Sequence, residues 1–266
     1  MKVDWTQPWF AQVRDVGGLV AQRIADGMSV ADALNLPHFP QAPRRFVAHA
    51  TLPRGLAYES FIAHSGCVPT RENLHDFFNG LVWHTQPQLK SRLNALQAQS
   101  IAAEGVRAKR GALRDALTLF DEFGALLDAP APLLDALRAR DWTALFITRR
   151  ALWAHSRLVI VGHALLEQLR VAPRKGLTAH VYLGDALAAT GQEWQAKPFC
   201  PLPVMGVPQW WAGNADTSFY DDAQVFRAPR ARLREQPDAH ACNHPERPNI
   251  RLRLPPPPRQ RGHQRP

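Results

Sequence analysis

The stretch "RDALTLFDEFGALLDAP", residues 114–130, decides how this chain is to be built. Two short apolar runs flank "DEFG", in which Asp supports turn geometry and Gly124 is available for positive φ. Read with a period of two, it predicts a β-hairpin, 115–120 paired with 125–128, closed by Pro130 and Pro132. "LTAHVYL" (177–183) is β-branched and alternating, and predicts a strand that joins the hairpin.

Most of the remaining body carries helical spacing. Phe10, Val13, Val16, Val20 and Ile24 lie on one face of a helix that stops at Gly27. Ser29 can cap a short helix through Leu36, ended by Pro37. "RRFVAHATLP" reads as extended, and "LAYESFIAHS" as a helix terminated by Gly66. Asn73 is a good N-cap for a helix to about Gln86, and Pro87 opens the next, with Leu89, Leu93, Leu96 and Ile101 on one side. After a helix at 132–139, the stretch "DWTALFITRRALWAHSRLVIVGHALLEQLR", capped by Asp141, admits two readings. It is one long helix, or a helix, a strand "RLVIV" and a second helix from Gly162. The spacing of Leu158, Gly162, Leu165 and Leu169 favours helix throughout, bent near Ser156. Residues 196–227, rich in Pro, Gly and Trp, read as an irregular wrap. The expected class is a predominantly helical α+β fold, with helices packed around a small antiparallel sheet.

The 266 residues are 45% hydrophobic, enough for a sizeable core. No run approaches the ~18 apolar residues of a membrane-spanning helix. "MKVDWTQPWFAQVRDVGG" has no apolar signal core, and Cys67, Cys200 and Cys242 are too scattered for a disulfide framework or a paired zinc site. The expectation is a cytoplasmic protein without a membrane partner. The net charge of +9 is unevenly spread. Residues 227–266 hold ten Arg against three acids and nine of the 23 prolines, leaving 22 basic against 20 acidic residues before them. We therefore divide the chain into a globular domain, 1–229, and an Arg/Pro-rich tail, 230–266, expected to be disordered. Any nucleic-acid contact is expected to be nonspecific and through that tail. The chain shows no glycine-rich phosphate loop, dinucleotide fingerprint, Gly-x-Ser-x-Gly elbow or Cys-x-x-Cys pair.

Three groups of residues can carry chemistry. In "NLHDFFNGLVWH" (73–84), His75 and Asn79 lie about 40° apart beside an apolar arc, whereas Asp76 is turned about 100° from His75. Arg114 and Asp115 enter the expected hairpin, and Asp121 and Glu122 sit in its turn. Carboxylates there suit a divalent metal, but the turn itself is sufficient reason for them. In "GHALLEQL", His163 and Glu167 are four apart and share a helix face, enough for one hydrogen bond or part of a metal site. His180 is a further imidazole with no spacing to place it.

The segments "LPRGLAYESFIAHSGCVPTRENLHDFFNGLVW", "PQLKSRLNALQ", "RGALRDALTLFDEFGALL", "VGHALLEQL" and "LPVMGVPQWW…FYDDAQVFR" resemble the bacterial domain-of-unknown-function family 3025, from about residue 45 to 229. The resemblance implies a mid-sized proteobacterial protein without an established activity. Its motif positions fall on Thr70, Arg71, Asn73, His75, Asp76, Phe77, Asn79, Trp83, Arg114, Asp115, Thr118, Asp121, Glu122, Gly162 and His163. All three polar groups belong to that pattern, which favours one shared pocket.

The expectation is a metal-assisted hydrolase acting on a small anionic substrate. His75, Asp76, Asn79, Arg114 and Asp115 form its catalytic set. His75, Asp115 and His163 are ligands for a divalent metal, and Arg71 and Arg114 anchor the substrate. The alternative is a non-catalytic binding or scaffold protein, in which the same residues form a structural hydrogen-bond network.

Overall fold

Helix α1 (Arg14–Ala25) and short α2 (Val30–Leu34) lead into strand β1 (Arg45–Ala48), helix α3 (Tyr58–Ser65) and strand β2 (Cys67–Thr70). Then come α4 (Leu74–Thr85), α5 (Pro87–Glu104), α6 (Ala112–Phe123), β3 (Gly124–Asp128) and α7 (Ala131–Ala139). The chain closes with β4 (Arg157–Ile160), α8 (His163–Val171), β5 (Thr178–Tyr182), α9 (Gly191–Gln195) and β6 (Phe199–Pro203). These elements come from a computed structural model that describes residues 2–35, 44–105 and 111–228. Pro37 and the tail from Arg230 lie outside the described residues. The chain divides into Met1–Pro229 and Arg230–Pro266.

The class is predominantly helical α+β, and the hairpin expectation is corrected. Residues 115–120 belong to α6, which runs without a loop into β3. Ala116, Leu117 and Phe120 recur at three- and four-residue spacing and are fully buried. That face outweighs the alternation of "ALTLF" once α5, α8 and α9 pack around it. Gly124 has φ −73°, so no positive φ is used. A Cβ there would lie 2.3 Å from the Phe120 carbonyl oxygen, so the glycine provides room for the abrupt change from helix to strand.

Strand β3 pairs antiparallel with β4 and parallel with β5, and β5 pairs antiparallel with β6. The sheet, ordered β4-β3-β5-β6, is therefore mixed. A second sheet joins β1 and β2 in parallel. The single bent helix expected across 141–170 is also corrected. A π-helical turn (Ala144–Thr148) and a 3-10 segment (Arg150–His155) precede β4, and α8 starts only after Gly162. Val159 to Val161 are buried beside β3, and tertiary pairing decides a run whose spacing fits either state.

Gly162 fixes the relation of α8 to α6. The backbone N–H groups of Val161 and Gly162 both donate to the Gly124 carbonyl, at 2.9 and 2.8 Å. A Cβ on Gly162 would lie 2.5 Å from the Glu122 carbonyl oxygen and 2.5 Å from Phe123 Cα, backbone atoms that cannot rotate away. Gly162→Ala is expected to lower unfolding free energy by about 3 kcal/mol, read from urea denaturation. Gly18→Ala, with open space around the added methyl in α1, serves as the control and is expected to be neutral or stabilising.

Candidate metal centre

The side chain of Asn73 accepts the Asp76 backbone N–H at 2.8 Å and starts α4, with His75 in its first turn. Phe77, Phe78, Leu81 and Val82 are fully buried, and His75 lies on the flank of that apolar arc, where α4 meets α8. Gly162 and the sheet then bring the first residue of α8, His163, beside the last turn of α6.

The two imidazoles meet nitrogen to nitrogen, His163 Nε2 3.0 Å from His75 Nε2, with ring planes at 72°. Glu122 faces the same point, its Oε1 3.9 Å from His75 Nε2 and its Oε2 3.6 Å from His163 Nε2. His75, Glu122 and His163 thus form a convergent three-ligand set. Zinc bonds of about 2.0–2.1 Å in tetrahedral geometry hold ligand atoms roughly 3.3–3.4 Å apart, and the three observed separations bracket that value. Behind each imidazole stands a carboxylate. His75 Nδ1 is 3.3 Å from Glu167 Oε2, and His163 Nδ1 is 3.7 Å from Asp121 Oδ2. Glu167 is within hydrogen-bond distance of His75, as outer-shell carboxylates of metal-binding histidines are, whereas His163 Nδ1 makes no hydrogen bond and faces Asp121 across the longer gap. Asp121 is in turn held by Lys90 Nζ at 2.5 Å.

Charge states follow from burial. Desolvation pushes the His163 imidazole down to about 3; Asp121 opposes the shift, while Lys90 and His75 add to it. His163 is therefore neutral at physiological pH, the form that ligates a metal. Burial pushes Asp121 up, but Lys90 and then His163 outweigh it and hold the carboxylate below its usual range. Glu59 moves upward through burial, reinforced by Asp121. The Tyr58 phenol is held well above its ordinary value, again chiefly by burial.

The site opens into a cavity of about 440 Å³ whose walls include Tyr58, Arg71, His75, Asn79, Arg114, Thr118, Glu122 and His163. A larger cleft of about 1210 Å³, lined by Trp5, Trp9, Trp210 and Trp211, contains none of these polar groups. The polar groups converge on the smaller cavity.

The sequence-derived residues now have places. His75 and His163 share the centre. Asp76, buried, accepts from the Arg71 backbone N–H at 2.7 Å and from its guanidinium at 3.0 and 3.2 Å, so it orients Arg71 and is not poised to react. Asn79 Nδ2 donates to the Tyr58 hydroxyl at 3.2 Å. Arg71 and Arg114 both line the cavity. Asp115, expected as a ligand, is corrected. It lies two turns before Glu122, about 10 Å along α6, faces solvent and pairs with Lys197. Glu122 stands beside the two imidazoles, where Asp115 is expected, and Asp121 lies behind His163. Both were assigned to a turn because the helix was read as a hairpin. Glu167 meets His75 from the next helix, and His180 packs against Phe199, away from the cavity. Tyr58, Glu59 and Lys90 gave no sequence signal, because α3 and α5 deliver them only through packing.

No helix among the described residues is long and apolar enough to cross a membrane. The family described as "Protein of unknown function (DUF3025)" matches residues 44–190 and 182–230. Neither the curated proteins nor the solved structures contain a match.

Proposed function

This chain belongs to the DUF3025 family, and we propose that it is a metal-dependent hydrolase of a small anionic substrate. The observation that carries the reading is the convergence of His75 Nε2, His163 Nε2 and a Glu122 oxygen, with a carboxylate facing each imidazole's other nitrogen. Two imidazoles and one carboxylate suit a divalent transition metal and leave a coordination position for water or substrate. An ion there supplies an activated water and polarises the bond to be cleaved. The chain's own groups do the rest. Glu167 orients His75, Tyr58 remains a protonated donor on the wall, and Arg114 favours a substrate of opposite charge.

The network reading fits Asp76 and Arg71, which engage each other, and Asn79, whose Nδ2 donates to Tyr58. A hydrogen bond between the two imidazoles accounts for their 3.0 Å contact, but not for the Glu122 carboxylate converging on the same two nitrogens. A bacterial cytoplasm suits the free thiols Cys67 and Cys200 and the family resemblance.

Titration of chelator-treated protein with zinc or manganese tests the proposal. One ion per chain is expected, and hydrolysis of anionic ester, amide or phosphodiester substrates should be lost with chelator and restored by metal. Failure to bind either ion at micromolar concentration overturns the reading.

A further inference from the structure

Two arginines line the cavity, but they are not equivalent. The Arg71 guanidinium is bonded through Nε and Nη2 to buried Asp76, which cancels its charge and fixes its plane. Arg114 makes no hydrogen bond or ion pair among the described residues, and its buried Nε has no acceptor. A guanidinium cannot shed its proton to relieve that, so a buried N–H without a partner carries a cost that a bound anion would remove. The nearby carboxyl, Glu59, is engaged by Asn94 Nδ2 at 2.5 Å.

Position along α6 gives the substrate's shape. Arg114 and Glu122 are eight residues apart, a rise of about 12 Å, and helical side chains tilt the same way, so their tips keep a comparable separation. Thr118 lies between them on the same helix, and Leu52, Ala57 and Ile101 are also on the cavity wall.

We infer that the substrate of the His75–His163–Glu122 centre is a small, elongated carboxylate, its acid group on Arg114 and its cleavable bond roughly 10 Å away at the metal. The single planar fork of Arg114 matches a carboxylate bidentately. A dianionic phosphate is less suited, because Glu59 stands close by and no second unpaired cation lines that end. This inference rests on the metal reading for the far end of the substrate only. The Arg114 end stands without it.

A ruler of straight-chain dicarboxylates, succinate to sebacate, with monocarboxylates of matched length, tests both ends on the full chain. On zinc-loaded protein, calorimetric affinity is expected to peak at one dicarboxylate length, about 10- to 100-fold above the matched monocarboxylate. Arg114→Met should remove the peak and leave monocarboxylate binding to the metal unchanged. Arg114→Lys should restore it only in part. On chelator-treated protein, monocarboxylates should still bind, weakly, to wild type and His75→Ala but not to Arg114→Met. Equal binding of mono- and dicarboxylates at every length overturns the inference while leaving the metal reading intact. Arg114-dependent carboxylate binding without zinc binding overturns the metal reading alone. Inorganic phosphate binding chelator-treated protein more tightly than any monocarboxylate overturns the assignment of the acid group.

Discussion

Lys90→Met is expected to lower the unfolding free energy by about 3–5 kcal/mol, the largest stability loss argued for this chain. The Lys90 ammonium is buried, 2.5 Å from Asp121 Oδ1 and 5.4 Å from the centre of the Trp83 ring. It also offsets Glu59, a second carboxyl brought to the same interior by α3. Replacing the ammonium with a thioether removes the cation that bonds Asp121 and the main cation acting on Glu59, and leaves two buried acids close together. The double variant Lys90→Met/Asp121→Asn should recover most of the loss, because it removes the stranded charge as well.

The pH dependence has a definite sign. In the wild type Asp121 titrates below its ordinary value of 3.8, so its stabilisation is present above that pH and fades as pH falls through the depressed value. In Lys90→Met, burial acts on Asp121 with its main opposing charge gone, its pKa rises, and the variant escapes the cost by taking up a proton as pH falls. The gap between the two proteins is expected to be widest near pH 8 and to narrow towards pH 4. Urea unfolding across that range measures it. A loss below about 1 kcal/mol at every pH would mean that water reaches the pair and that the interior is wetter than described.

What the sequence disclosed follows physical lines. Caps and continuous apolar faces are local, so Ser29, Asn73, Pro87 and the helices they open could be read directly. Short apolar runs were not decidable. "ALTLF" suits a strand edge or a helix face, and only the packing of α5, α8 and α9 around it selects the helix. Reading that period as two displaces Asp121 and Glu122 from the candidate centre. On a helix, Arg114, Thr118, Asp121 and Glu122 share a side and point into one cavity, whereas on a hairpin Asp121 and Glu122 become turn residues and Asp115 takes the prominent place. His75 and His163 survived the error because each sits in the first turn of its own helix. Their meeting depends on Gly162, whose need for backbone contact with Glu122 and Phe123 is a tertiary fact.

His75→Ala and Asp76→Ala, neighbours in sequence, are expected to fail in opposite ways, and the contrast separates a metal centre from a structural network. The His75 side chain is 32% exposed and its nitrogens face Glu167, His163 and Glu122. Truncating it empties a partly solvated position, so the stability of metal-free protein should change by less than about 1 kcal/mol. Zinc affinity should fall by more than about 100-fold, since changes in the outer shell alone cost 10- to 100-fold. Glu167→Gln, which alters only the group behind His75, should fall within that smaller range. The Asp76 side chain is 6% exposed and accepts three hydrogen bonds from Arg71. Removing it leaves the Arg71 backbone donor without its acceptor and frees the guanidinium, which should cost about 1–3 kcal/mol while zinc still binds within several-fold of wild type. If the polar residues served only to lock the fold, both variants would melt early and zinc would distinguish neither. A His75→Ala protein that unfolds as readily as Asp76→Ala, with unaltered zinc titration, would therefore end the case for chemistry at this centre.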